Sequence, residues 1–264
     1  MAWVLRGLRE GIVTTRYPKK ADDYGASFKA SVSVRAAATT PSPDVTGPVP
    51  STLCPTLAIE ERTGEVVIDR GRCILCGRCV EARPDLFAFE PSPEVASLDR
   101  AGLFVPERRE SDEELARLRA ELRARVRALR RSVHVRHVDA GSDGAEEWEV
   151  AALTNPVYDV QRLGIFFTAS PRHADLLLVT GAGSAAMTEP LRTTYEAMPD
   201  PKIVLAAGTD SISGGLLRPT YATRNGIGST VPIDVFVPGS PPSPFSLLHG
   251  ILLAVGLLPE RSAR

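Results

Sequence analysis

The run Arg72-Cys73-Ile74-Leu75-Cys76-Gly77-Arg78-Cys79 constrains this chain more than any other stretch, because C-x2-C-x2-C wraps three thiols around one metal centre in a tight loop. The 264 residues hold one other cysteine, Cys54, followed by Pro55. Thiols at these spacings admit an iron–sulfur cluster, a tetrahedral zinc site, or a pair of disulfides, which would need an oxidising compartment.

The spacing resembles that of bacterial-type ferredoxins, whose run reads C-x2-C-x2-C-x3-C-P and whose fourth cysteine ligates the other cluster of a pair. On that pattern, the run ending at Cys54-Pro55 would have its first three cysteines at Asp44, Gly47 and Pro50, and none is cysteine. The second run would have its fourth at Arg83, which keeps its proline, Pro84. The missing positions make up the whole ligand set of one cluster and the present ones that of the other. The resemblance therefore implies one [4Fe-4S] cluster on Cys54, Cys73, Cys76 and Cys79. Cys54-Pro55-Thr56-Leu57-Ala58-Ile59 is similar to the C-P-T-x-A-I segment that closes a ferredoxin motif, and Glu65 to Asp69 reads as the strand between the motifs.

The length suits one large domain or two small ones, and the ferredoxin unit takes a minority of it, which favours two. Lys and Arg number 31 against 32 Asp and Glu, so charge makes no case for a nucleic-acid partner. No apolar run reaches the roughly 18 residues of a spanning helix, and the first residues lack an apolar signal core with a cleavage site. With all cysteines assigned to a cluster, a reducing cytoplasm is expected.

Residues 1–35 read as a docking arm: Trp3, Val4, Leu5, Leu8 and Ile12 lie near helical spacing among Arg6, Arg9 and Arg16, suited to a membrane surface or a neighbouring subunit. Residues 36–108 read as an α+β ferredoxin-like domain, with Thr40 to Ser51 an irregular loop where the lost cysteines would stand. Residues 109–131 read as a helical linker, on Leu115, Leu118, Leu122, Val126 and Leu129. Residues 132–264 read as an α/β flavodoxin-like domain with a parallel sheet, because apolar runs alternate with helical patterns. Its strands are expected at 133–138, 165–168, 175–180, 203–208 and 232–237, its helices at 187–198 and 245–257. Loops beyond the carboxyl ends of such strands carry the site, here near Asp139, Gly181, Gly208 and Pro238.

Those loops bear a family resemblance. Asn155-Pro156-x-Tyr158-Asp159, Ala169-Ser170-Pro171-Arg172-His173-Ala174-Asp175, Leu178-Val179-Thr180-Gly181, Tyr195-Glu196-Ala197-Met198-Pro199 and Gly239-Ser240-Pro241-Pro242 look like the small subunit of membrane-bound group 4 [NiFe] hydrogenases. The same elements occur in the homologous 20 kDa subunit of respiratory NADH:quinone oxidoreductase (complex I). The ferredoxin half resembles a neighbouring subunit of those complexes, so the chain looks like a fusion. In the hydrogenase branch a proximal cluster is held by G-S-C-x-x-C, G-D-C and G-C-P-P. Here the corresponding residues are Asp143, Glu146, Asp210 and Ser240. Oxygen donors do not suit an iron–sulfur cluster, so the proximal cluster is expected to be absent. The carboxylates either converge to bind a hard cation or share protons, or are solvated replacements in a vacated pocket.

Other signals are weaker. His134 and His137, three apart on a strand, face opposite sides and so do not share a metal. His173 reads as structural, and Gly181-x-Gly183 lacks the lysine and spacing of a phosphate loop. The resemblance implies an electron-transfer subunit with no catalytic site of its own. Its partners would be a hydrogenase large subunit or complex I 49 kDa-like subunit, membrane-arm subunits and a soluble electron donor, at the inner face of the cell membrane. The alternative is a non-redox scaffold in a complex I-related assembly that translocates an ion or solute.

Overall fold

The computed structural model describes residues 2–11, 14–20, 28–35, 51–62, 65–106, scattered positions between 113 and 124, 132–217 and 219–258. The loop expected at 40–51 and most of the linker helix lie outside these residues; of the linker's apolar positions, Leu122 is buried in the core of the second half.

That second half is built on five parallel strands, β6 (Val133–Asp139), β7 (Ile165–Phe167), β8 (Leu176–Thr180), β9 (Ile203–Ala207) and β10 (Val235–Val237), in the order β10-β9-β8-β6-β7. Numbered within the sheet this is 2-1-3-4-5, an order of doubly wound sheets whose sites lie where the winding reverses, at the first and third strands. Alternation along each strand sends successive side chains to opposite faces. Leu176, Leu178, Ile203 and Leu205 therefore enter one core, and Leu177, Val179, Val204 and Ala206 the other. Burial on both faces is why β8 and β9 read as unbroken apolar runs. Val150 of α3 (Ala145–Ala152) and the largely buried α6 (Pro244–Ala254) pack on the first face, and Leu191 of α4 (Thr188–Ala197) on the second. A short α5 (Thr209–Ser213) follows β9 directly.

Two strands begin later than expected, at Leu176 rather than 175 and at Val235 rather than 232, each just after an aspartate that bonds to the neighbouring strand. The Asp175 carboxylate accepts from His134 N at 2.8 Å, and the Asp234 carboxylate from Val204 N at 2.9 Å. Each aspartate also donates its own N–H to the same residue, Asp175 N to His134 O at 2.8 Å and Asp234 N to Val204 O at 2.9 Å, so side chain and backbone together fasten the start of the strand.

The first half opens with α1 (Ala2–Glu10), on which Trp3, Leu5 and Leu8 are exposed. Beyond it, Tyr17 packs edge-on against Phe245 of α6, and Thr15 N donates to Val157 O at 3.2 Å, so this stretch docks on the chain's own α/β half. Ser31–Val34, read from the sequence as part of the arm, form β1 and pair antiparallel with β4 (Phe87–Glu90). A second sheet joins β2 (Ile59–Arg62), β3 (Glu65–Asp69) and β5 (Phe104–Val105). Val32, Ile59, Ile68, Leu86 and Phe87 make a small core, against which Cys54, Cys73 and Cys79 pack.

Candidate metal centre and the acidic residues beside it

All four cysteines are free thiols, and they line one cavity of about 370 Å³, counting its mouth, together with Ala58, Ile68 and Gly77. The backbone shapes the loop around them. Leu75 (φ 55°) and Gly77 (φ 79°) take the left-handed conformation that turns the chain between successive thiols, and Gly77 leads into α2 (Arg78–Ala82), which carries Cys79. Leu57 (φ 55°) bends the other segment, its N–H donating to Cys54 O at 3.1 Å.

Backbone donors converge on the sulfurs. Ala58 N donates to Cys54 Sγ at 3.3 Å, Thr56 Oγ1 lies 3.4 Å from the same sulfur, and the N–H groups of Leu75 and Val80 face Cys73 and Cys79. Burial pushes the Cys73 thiol up to about 12, with Cys79, Cys54 and Cys76 adding to it, and burial raises Cys79 too. Thiols so desolvated and crowded stay neutral until a cationic centre takes the protons' place. Four thiols, a shared cavity and N–H groups aimed at sulfur fit an iron–sulfur cluster. Among the described residues, no group of three or more His, Cys, Asp or Glu side chains is placed to hold a metal ion as the chain stands.

The cluster loop rests on α5. Thr209 Oγ1 donates to Cys73 O at 3.0 Å, and Ser213 Oγ to Gly71 O at 2.7 Å. Neither hydroxyl stands out in the sequence, although Thr209 lies within Gly208-Thr209-Asp210; ties across more than 130 residues leave no local pattern. The Pro238–Pro242 loop joins the same knot, since Thr209 N donates to Gly239 O at 2.7 Å. Between this loop and Leu75 lies a cleft edged by Glu149, whose carboxyl is pushed up by burial.

The four positions that the sequence sets against a proximal cluster's cysteines have different surroundings. Glu146 is 1% exposed, Asp210 is half-buried, and Asp143 is exposed with its carboxylate accepting from Ala145 N at 3.0 Å. Burial raises Glu146 to about 7, helped by Asp210, Asp143 and Glu147; burial and Asp143 also raise Asp210. Ser240 adjoins Gly239 in the loop hydrogen-bonded to Thr209. The neighbouring Glu147 is held by hydroxyls, from Ser142 Oγ at 2.6 Å and from Thr180, which also meets His137 Nε2 at 3.0 Å. His134 stacks instead on Phe166. Gly181 and Gly183 serve close backbone approach: a Cβ would lie 2.6 Å from Gly141 C at the first and 2.5 Å from Gly226 O at the second.

Comparison with known proteins places this arrangement. The family model for the NADH ubiquinone oxidoreductase 20 kDa subunit matches residues 144–254, and that for a 4Fe-4S single cluster domain matches residues 66–126. The probable membrane-bound hydrogenase subunit mbhJ of Pyrococcus furiosus is 39% identical over 145 residues, which are 55% of this chain and 87% of that protein. The chain belongs to the NADH ubiquinone oxidoreductase 20 kDa subunit family. Within it, formate hydrogenlyase subunit 7 of Escherichia coli is 39% identical over 57% of this chain and 58% of its own length. An NADH-quinone oxidoreductase subunit of Geotalea daltonii is 43% identical over 39% of this chain and 61% of its own. The chain thus spans little more than half the length of several relatives. The solved membrane-bound sulfane sulfur reductase, an archaeal respiratory membrane complex, has a chain 32% identical over 50% of this one and 73% of its own, at a TM-score of 0.45. Among the described residues no helix is long and apolar enough to cross a membrane.

Proposed function

We propose that this chain is an electron-transfer subunit of a membrane-associated, hydrogenase-like or complex I-like assembly, with one [4Fe-4S] cluster on Cys54, Cys73, Cys76 and Cys79 and none in its α/β half. The observation that carries the reading is the cavity shared by the four free thiols, with backbone N–H groups turned toward the sulfurs. A bound cluster would supply one-electron transfer. The residues hold its ligands apart, keep water from Cys73, and offer N–H donors that favour the more negatively charged state. Thr209 and Ser213 fix the ferredoxin-like half against the flavodoxin-like half. The relatives named for membrane-bound hydrogenase and quinone oxidoreductase support a place in a membrane-associated complex; on this reading the chain lies peripherally at the inner face of the membrane, held by a large subunit and membrane-arm subunits.

The test is iron and acid-labile sulfide per chain in protein purified without air, with electron paramagnetic resonance after reduction. About four irons with one reduced-cluster signal are expected. About eight irons would place a second cluster in the α/β half, and zinc without sulfide would end the redox reading.

The scaffold reading draws on a separate observation: a buried carboxyl, Glu146, stands at one of the degenerate positions of the α/β half. Substituting Cys76→Ser in an assembly that still forms decides between the two. Lost turnover supports electron transfer through this chain, whereas full turnover without the cluster signal supports a scaffold.

A further inference from the structure

Two adjacent glutamates on the first turn of α3 meet opposite environments. Both oxygens of Glu147 are held by hydroxyl donors, Ser142 and Thr180. Glu146 is 1% exposed, and its Oε2 is buried with no hydrogen-bond partner. Its other oxygen is pressed against Gly208, where a Cβ would lie only 2.7 Å from Oε1. The backbone donors beside it are committed elsewhere, Gly208 N to Val237 O at 2.9 Å and Thr209 N to Gly239 O at 2.7 Å.

The backbone N–H of Glu146 itself acts on the carboxylate and favours its ionised form, but burial outweighs it; with Oε2 unpartnered, an ionised carboxylate is disfavoured here and a neutral carboxylic acid far less so. A metal ion does not resolve the conflict. No group of three or more His, Cys, Asp or Glu side chains among the described residues is placed to hold a metal ion, and Asp143 is exposed and engaged with Ala145 N. The charged groups acting on Glu146 are Asp210 from α5, Asp143 from the loop before α3 and Glu147 beside it, all acidic. The 238–242 loop brings no titratable side chain.

We propose that Glu146 is a proton-binding site on the first turn of α3, taking a proton from solvent onto its buried, unpartnered carboxylate and returning it to solvent, with Asp210 and Asp143 setting how tightly the proton is held. Loading adds H+ to one carboxylate oxygen and release gives it to water; no electron moves. Proton binding here does not depend on the cluster assignment. Asp210, half-buried, and Asp143, exposed, both act on Glu146 as negative charges. The shift of Glu146 to about 7 agrees with a group that changes state near neutral pH.

Infrared spectroscopy of the full chain, kept anaerobic, tests it across pH. A protonated-carboxyl C=O stretch, sensitive to D2O, should disappear as pH rises, with its midpoint near 7, and should be missing in Glu146→Gln. Asp210→Asn leaves Glu146 in place and covers the case in which the first variant does not fold. Removing that neighbouring negative charge should move the midpoint to lower pH. Magnesium or calcium added alone should leave the band intact. A band that survives Glu146→Gln, a midpoint unmoved by Asp210→Asn, or a band abolished by either cation would overturn the proposal.

Discussion

At the scale of single residues, the chain's chemistry is set by which side chains find a partner. Glu146 has a consequence for stability. Its carboxyl is raised from 4.5 to about 7 in the fold, so between those values the folded state binds more protons than the unfolded one. The stability this group contributes is present below pH 4.5 and is lost as pH rises to about 7. At about 1.4 kcal/mol per unit, the full swing is on the order of 3 kcal/mol. Glu146→Gln removes it, so the variant should gain about that much relative to the parent between pH 5 and pH 8 in denaturant titrations. An equal difference at both pH values would show that Glu146 titrates as it does when unfolded. Cys73 behaves differently, because its neighbours are other thiols. Cys73→Ala should abolish the reduced-cluster signal and lower bound iron toward zero, and retained iron would remove Cys73 from the ligand set.

At the scale of elements, α5 ties the cluster loop to the large sheet. Thr209 is fully buried, and its hydroxyl serves both Cys73 O and Gly239 N. Thr209→Val keeps the shape and strands both groups, at an expected cost of about 1–3 kcal/mol, read as a lower denaturation midpoint. Gly181→Ala should cost at least as much, because φ is +82° and the new Cβ would meet the backbone of Gly141 and Ser142 at 2.6 Å. The strands of the large sheet were legible because both of its faces are buried, so Leu176 to Val179 and Ile203 to Ala206 read as apolar runs. Their starts were not, since a carboxylate from Asp175 or Asp234 bonds to the neighbouring strand only once that strand is in place. The cysteine spacing was legible because the loop is local. The pairing of β1 with β4, the Thr209 and Ser213 ties and the contrast between Glu146 and Glu147 were not, since each depends on residues that only the fold brings together.

At the scale of the whole molecule, the two halves share structure rather than merely touch. Leu103, from the first half, is fully buried among the residues of the α/β core on the side of α5, and Arg70 N donates to its carbonyl at 2.9 Å. Ser97 forms an isolated antiparallel bridge with Phe236 of the edge strand β10, through bonds of 2.9 and 2.8 Å. Ala96 N donates to His249 Nδ1 at 3.2 Å on α6, and Gly71 lies so close to Ile212 that a Cβ there would approach its Cγ2 to 2.9 Å. Contacts of this kind make the cysteine loop part of the wall of the α/β half, so energy gained by holding the proposed metal centre would be felt across the interface. Stripping iron anaerobically with an oxidant and a chelator should therefore lower the midpoint of a single melting transition seen both by far-ultraviolet circular dichroism and by the fluorescence of Trp148 in α3. Two separate transitions, with the Trp148 signal unchanged by iron removal, would mean that the halves fold independently and that Thr209, Ser213 and Ser97 carry no coupling between them.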